Sequence, residues 1–308
     1  MSDQYLERYA TPTGLRIKGA PIKLHWTFLM LLFVHLVLAF VGYNSWWNVF
    51  WYELVLYGPF LFVTVLVHEI SRVLVTYKLG GTADLIILWP LGGITTYGPN
   101  DRGAWGDAMV AIAGPLSHIF TGAIFAILYV TLKAEGMPSL LTFSAFYTDL
   151  EGGFNGIVMT ACRVSFCWNV FLLCVHMLVP VYPLDGIRIW AGLLRSKGVG
   201  ITKTANIVAF AGMALSFGFF VYGCFGIFFD TAVGGVTEYS TGVLLGGFGF
   251  LTSKMLLDIN RAGRLSEHPI FGRSCYAVNE VPSVEVPSTA NGTISGTPMT
   301  AAQQADFI

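Results

Sequence analysis

The stretch Phe60-Leu-Phe-Val-Thr-Val-Leu-Val-His68-Glu69-Ile70-Ser71-Arg72-Val-Leu-Val75 sets a histidine, a glutamate and an arginine inside an otherwise apolar run. Ionisable side chains at membrane depth are costly, so they face a partner or a function. His68-Glu69 opens the pattern H-E-x-x-H. There, two histidines one helical turn apart hold zinc, and the glutamate works on water. In this chain the second histidine position is Arg72.

The surrounding composition fixes the solvent. Of 308 residues, 55% are hydrophobic and 11% charged, against about 25% charged in soluble domains. The chain is expected to be an all-α polytopic membrane protein. A bilayer core takes roughly 20 apolar residues as a helix. Six stretches qualify, at about 24–43, 52–78, 105–132, 157–182, 203–229 and 240–258. Lys and Arg gather in alternate connections. They are Arg8, Arg16, Lys18 and Lys23 before the first stretch, Lys78 and Arg102 after the second, Arg188, Arg195, Lys197 and Lys203 after the fourth, and Arg261, Arg264 and Arg273 after the sixth. The other connections hold only Lys133, which puts both termini on the cytosolic side. A formal net charge of -1 gives no electrostatic case for nucleic acid. The five cysteines form no C-x-x-C pair and read as packing residues.

Two connections are irregular. Residues 82–98 are β-prone and broken by Pro90 and Gly92-Gly93, as in a short β-hairpin or re-entrant strand pair. Residues 180–186, Pro-Val-Tyr-Pro-Leu-Asp-Gly, stop the fourth helix with two prolines. Irregular backbone at membrane depth is tolerated where it lines a cavity or packs in protein. The organisation expected is an N-terminal cytosolic arm (1–23), a membrane core (24–200), a C-terminal helix pair (201–260) and a disordered tail (261–308). Asn291-Gly-Thr in that tail is a glycosylation pattern that a cytosolic segment would not present to the transferase.

On a helix, positions 68 and 72 share a face and position 69 lies about 100° round. A catalytic zinc takes three protein ligands and keeps one position for water. Asp185, at the proline-broken end of the fourth stretch, approaches the depth of His68 from the same side. Arginine keeps its proton and does not ligate metal. The in-membrane histidines left as substitute ligands are His118 and His176. The alternative is a metal-free core in which Arg72 bridges Glu69 and Asp185 and supplies the missing positive charge.

These residues and their surroundings resemble the site-2 protease family of intramembrane zinc metalloproteases. His68-Glu69 resembles the first half of the family's zinc helix. Leu184-Asp185-Gly186, with Pro180 and Pro183 before it, resembles its aspartate motif N-x-x-P-x-P-x-L-D-G. Ala113-Gly114-Pro115-Leu116-Ser117, Gly92-Gly93-Ile94 and Pro21-Ile22-Lys23-Leu24-His25-Trp26 resemble further family positions. The likeness covers about residues 20–195. It implies a core that cleaves a transmembrane substrate helix in the bilayer with Zn2+. His68 and Asp185 would be ligands, Glu69 the general base, and Gly92 and Gly93 the edge of the substrate groove. Met177 and His118 depart from the motifs, each standing where the family usually carries asparagine. With Arg72 they leave open a catalytically inactive relative that binds transmembrane segments.

Overall fold

A computed structural model describes residues 10–42, 46–89, 92–98, 101–133, 140, 153–229 and 235–277. The chain opens with two strands, β1 (Ala10–Ile17) and β2 (Ala20–His25). Lys18 and Gly19, both at positive φ, close them in two residues. Helices α1 (Trp26–Gly42), α2 (Trp46–Val55) and α3 (Leu61–Lys78) follow, with a π-helical turn at Leu56–Phe60 around Pro59 joining α2 to α3. Strands β3 (Ala83–Trp89) and β4 (Gly92–Tyr97) lead to α4 (Gly103–Leu132) and α5 (Gly153–Leu178). The amphipathic α6 (Asp185–Ser196) precedes the long pair α7 (Ile201–Phe229) and α8 (Gly235–Arg261). A 3-10 turn (Leu265–Glu267) and the short α9 (Ser274–Ala277) end the described chain.

Five helices among the described residues are long and apolar enough to cross a membrane: Trp47–Lys78, Gly103–Leu132, Gly153–Leu178, Ile201–Gly226 and Gly242–Arg261. Six were expected. The first stretch differs because its opening residues are taken by the sheet. Leu24 pairs with Thr11 on one side and Leu88 on the other, so α1 starts only at Trp26. The expectation of an all-α chain with one short β-hairpin or re-entrant segment holds for a mostly helical chain and is corrected in its strand content by the same sheet. Its four strands run in the order β1-β2-β3-β4, with β2 and β3 parallel and the two outer pairs antiparallel. The supposed arm 1–23 therefore supplies two of four strands. Tertiary pairing overrides a local sequence too short and polar to announce it.

Helix α3 carries its polar residues inward. Thr64, Val65, His68, Glu69, Arg72, Val73 and Thr76 are buried, at spacings that draw one stripe along a helix. Val63 and Leu74 lie exposed on the opposite side. The stripe packs on the sheet through Val65 and Val73 against Ile22, Ile86 and Leu88, and on α4 through Gly114. A Cβ at Gly114 would stand 2.5 Å from His68 Nε2 and 2.9 Å from Arg72 Cδ. Small residues let backbones approach in membranes, where packing rather than hydrophobic transfer drives association. The α7–α8 pair uses the same device. A Cβ at Gly246 would meet the Phe220 backbone nitrogen at 2.4 Å.

The tail was expected to be loose from residue 261, but the chain is folded past that point as far as it is described, to residue 277. Residues 264–277 fold back onto α4 and α6. Phe271 and Tyr276 enter a core with Ile187, Ala191, Leu256 and Leu257. Arg273 Nη1 and the Tyr276 hydroxyl both donate to Asp107, at 2.6 Å each. The expected disorder of the remaining tail and the Asn291 pattern lie outside the described residues.

Candidate metal centre

Four elements converge on one buried point. The stripe of α3 delivers His68, Glu69 and Arg72, while the last turn of α5 delivers His176. The chain then leaves α5 at Pro180 and folds back on it. Leu184 N–H donates to Val181 O at 2.8 Å, and a Cβ on Gly186 would lie 2.1 Å from Val179 O. That reversal sets Asp185 Oδ2 3.1 Å from His176 Nδ1, nine residues back in the chain, and 2.9 Å from His68 Nε2. His68, His176 and Asp185 offer ligand atoms all within 4.8 Å of one another, and all three are buried. Two imidazoles and a carboxylate are a three-ligand set that suits zinc with one open position. The residues present therefore fit the metal that the H-E pattern implies.

Of the two substitute histidines considered from sequence, His176 joins this set. His118 lies behind His68, with its Nε2 3.1 Å from His68 Nδ1. Glu69 is not a member of the set but borders it, with Oε1 3.7 Å from His68 Nε2. Its oxygens are held from two sides: Arg72 Nη1 donates to Oε1 at 2.9 Å and Thr95 Oγ1 to Oε2 at 2.5 Å. Gly93 on β4 lies directly over this carboxylate. A Cβ there would stand 2.1 Å from Glu69 Cγ. Gly92 faces the other side of the centre, its hypothetical Cβ 3.7 Å from His176 Cε1.

Arg72 sits between the two acids. The same Nη1 lies 3.4 Å from Asp185 Oδ1. The two oxygens of Asp185 thus have separate duties, Oδ1 toward the guanidinium and Oδ2 toward the imidazoles. Burial pushes the Asp185 carboxyl up, but Arg72, His176 and His68 outweigh it and hold the group well below the usual carboxylate range. Beyond Arg72 the polar contacts continue. The Tyr97 ring has Arg72 Cζ 5.2 Å from its centroid and Arg188 Cζ at 5.1 Å. Arg188 in turn forks onto Asp107 at 3.1 and 2.5 Å.

Thr95, Tyr97, Asp107 and Asn169 were not singled out from sequence. Thr95 and Tyr97 carried one faint signal, since they follow Gly93 on alternate residues of the strand whose glycines were noted.

Fold and centre define a class: a multi-pass membrane protein with a set of side chains able to hold a metal buried among its helices. The relatives agree. A zinc metalloprotease of Methanocaldococcus jannaschii is 30% identical over 210 residues, 68% of this chain and 52% of that protein. Rip3 of Mycobacterium tuberculosis, assigned by name to the zinc metalloproteases, is 25% identical over 230 residues, 70% of this chain and 53% of its own length. The chain spans about half the length of the curated relatives it matches. Among solved structures, the site-2 protease of M. jannaschii superposes with a TM-score of 0.50 at 24% identity, covering 81% of this chain and 95% of that one, a likeness of fold. No protein-family model matches. Sequence likeness to zinc metalloproteases and the fold of a site-2 protease together support a place in the site-2 protease family.

Proposed function

We propose that this protein is an intramembrane zinc metalloendopeptidase that cleaves transmembrane segments of other membrane proteins, as in regulated intramembrane proteolysis. The observation that carries the reading is the His68–His176–Asp185 set within 4.8 Å, with the Glu69 carboxylate at its border. Zinc bound there would polarise a peptide carbonyl and lower the pKa of water to about 7. The chain's own groups do the rest. Glu69 takes the proton from the attacking water and returns it to the leaving amine. Arg72 and Thr95 fix the direction of that carboxylate. β4 is one of the sheet's two edge strands, the one that carries Gly92 and Gly93, and an unwound substrate segment would add to it there. The lipid-embedded frame admits a substrate from the bilayer. The distribution of Lys and Arg supports cytosolic termini.

One observation favours a second reading, a metal-free relative that binds transmembrane segments. Arg72 Nη1 reaches both Glu69 and Asp185, at 2.9 and 3.4 Å. Charge counts against it. Two carboxylates against one guanidinium leave one negative charge, which a metal-free core could balance only by holding a proton between His68 and Asp185, and an unbalanced charge in the membrane is costly. The geometry also lets Arg72 and a metal coexist, because they address different oxygens of Asp185.

Elemental analysis of the detergent-purified chain, paired with cleavage of a transmembrane reporter in proteoliposomes, separates the two. The enzyme holds about one zinc, loses it in His68→Ala and His176→Ala, and in Glu69→Gln keeps zinc but loses cleavage. A chain without zinc that stays folded in chelator and cuts nothing would overturn the proposal in favour of the second reading.

A further inference from the structure

Both ring nitrogens of His68 face buried groups, and the chain of contacts behind Nδ1 has a readable direction. It starts at Asn169 on α5, which is 1% exposed. Its Nδ2 donates to the Ser165 carbonyl at 2.8 Å. A flipped amide would set oxygen against that carbonyl oxygen, so the orientation is fixed, and Oδ1 is the atom turned to its other neighbours. Thr121 Oγ1 lies 2.5 Å from Oδ1 and His118 Nδ1 lies 3.0 Å from it. An amide oxygen only accepts, so His118 carries its proton on Nδ1. Its Nε2 is then the acceptor, and the partner at 3.1 Å, His68 Nδ1, must be the donor. With Nδ1 protonated, the lone pair of neutral His68 sits on Nε2, the nitrogen 2.9 Å from Asp185 Oδ2. Two acceptors that close are relieved only by a cation, a proton or a metal ion, held between them.

We propose that Asn169 and His118 are positioning residues that lock His68 into the tautomer with Nε2 bare toward Asp185 and His176, and so prepare the site for a divalent metal. The inference rests on the zinc reading above and deepens it. The relay stands at the ring edge opposite the metal set, where an outer hydrogen bond fixes a ligand imidazole's tautomer and orientation. It gives His118 a different duty from ligation. It also accounts for a buried asparagine in the middle of α5, a residue that a lipid-facing or merely packed helix position would not need.

The test is zinc affinity of the full-length chain in detergent, measured by competition with a chelator. Asn169→Leu keeps the branched shape, with a larger volume, and removes the acceptor. It is expected to weaken zinc by about 10–100-fold, the usual range for outer hydrogen-bond partners of metal ligands. Asn169→Asp, as a protonated carboxyl whose O–H donates to Ser165 O in place of Nδ2, restores an acceptor to His118 and is expected to recover most of that loss. His118→Phe keeps the ring and removes both nitrogens, and should match Asn169→Leu. If Asn169→Leu does not fold, Asn169→Ala and His118→Phe give the same readout on the folded fraction. A merely structural role would lower thermal stability in chelator and leave the affinity of folded protein unchanged, and that result would overturn the proposal. So would His118→Phe abolishing zinc as fully as His68→Ala, which would make His118 a ligand. Long-range 15N spectra of histidine-labelled, metal-free protein read the relay without metal. His118 should show a protonated Nδ1 and an unprotonated Nε2, and the pattern should be lost in Asn169→Leu. A wild-type chain that binds no zinc yet shows this pattern sinks the zinc reading and leaves the relay standing. Absence of the pattern in wild type sinks the relay.

Discussion

Replacing Asp107 by alanine should release the C-terminal clamp. Asp107 is 1% exposed, on the first turns of α4. It accepts from Arg188 Nε and Nη2 at 3.1 and 2.5 Å, from Arg273 Nη1 at 2.6 Å and from the Tyr276 hydroxyl at 2.6 Å. Removing the carboxylate strands Arg188, itself 5% exposed. Breaking one side of a buried ion pair costs about 3–5 kcal/mol. The Tyr276 hydroxyl loses its short acceptor and keeps only a 3.5 Å contact with Arg188 O, adding about 1–3 kcal/mol by the cost of an unsatisfied buried group. The two losses share partners and will not sum fully. Even the lower figure is a large share of a typical stability of about 5–15 kcal/mol. The weakest element attached to Asp107 is residues 264–277, held otherwise by Phe271, Tyr276 and the bond from Arg195 Nη2 to Tyr276 O at 2.8 Å. That segment should open before the helices part. Trypsin after Arg264 or Arg273 reports it, with melting temperature in the same detergent as the second readout. Asp107→Asn keeps volume and one acceptor oxygen and should fall between wild type and Asp107→Ala. An Asp107→Ala chain as resistant to trypsin and as heat-stable as wild type would refute the reasoning.

Gly93→Ala should keep zinc and lose reporter cleavage. The new Cβ would lie 2.1 Å from Glu69 Cγ and 2.3 Å from Cδ, so the carboxylate must move while the metal set stays; metal analysis beside the cleavage assay checks it. Arg72→Met leaves Glu69 and Asp185 facing each other without their shared guanidinium, a loss of about 3–5 kcal/mol for one broken buried pair. Added zinc should then raise the melting temperature more in the variant than in wild type, and an equal shift would count against the charge argument. His268 accepts the Ile270 and Phe271 backbone N–H groups on Nδ1 at 3.2 and 3.4 Å, and burial lowers its pKa from 6.5 to about 4. The unfolded chain takes the proton first, so its stabilisation is complete above about pH 6.5 and is lost as pH falls toward 4, by no more than about 3 kcal/mol in all. Tryptic resistance of the clamp at pH 7 and pH 5 should therefore differ, and His268→Asn, with an oxygen in place of Nδ1, should flatten that difference.

Several residues of the candidate centre were legible because burying charge is expensive enough to leave a mark. His68, Glu69 and Arg72 stood out against Phe60–Val75, and Pro180 and Pro183 announced a helix end near Asp185. Choosing between His118 and His176 was beyond it. Both sit inside apolar helices, and only the rotation of α4 and α5 about their axes decides which imidazole meets Asp185. A faint signal favoured His176, nine residues before Asp185 across a proline-forced reversal that must bring helix end and loop together. Asn169 left no trace, since one amide in a long apolar helix is ordinary until its neighbours are known. The sheet was half legible. Pro90 and Gly92-Gly93 broke residues 82–98 visibly, but β1 and β2 owe their form to β3, and a parallel partnership over some 60 residues has no local signature.

Arg72 is the residue on which the chemistry turns, and its position decides what kind of substitution it is. Had its guanidinium taken the place of the missing ligand, it would face the same oxygen of Asp185 as the imidazoles. It faces Oδ1 instead, and the imidazoles share Oδ2. It also binds the proposed base, Glu69, on Oε1, and its guanidinium lies against the Tyr97 ring. An arginine so placed orients the two carboxylates and supplies one of the positive charges they require. The other must come from elsewhere. In the zinc reading His176, on a different helix, would complete the ligand set in place of position 72. The third ligand would then come from α5 instead of α3, and the position so left on α3 holds a cation fixed on Glu69, the proposed general base.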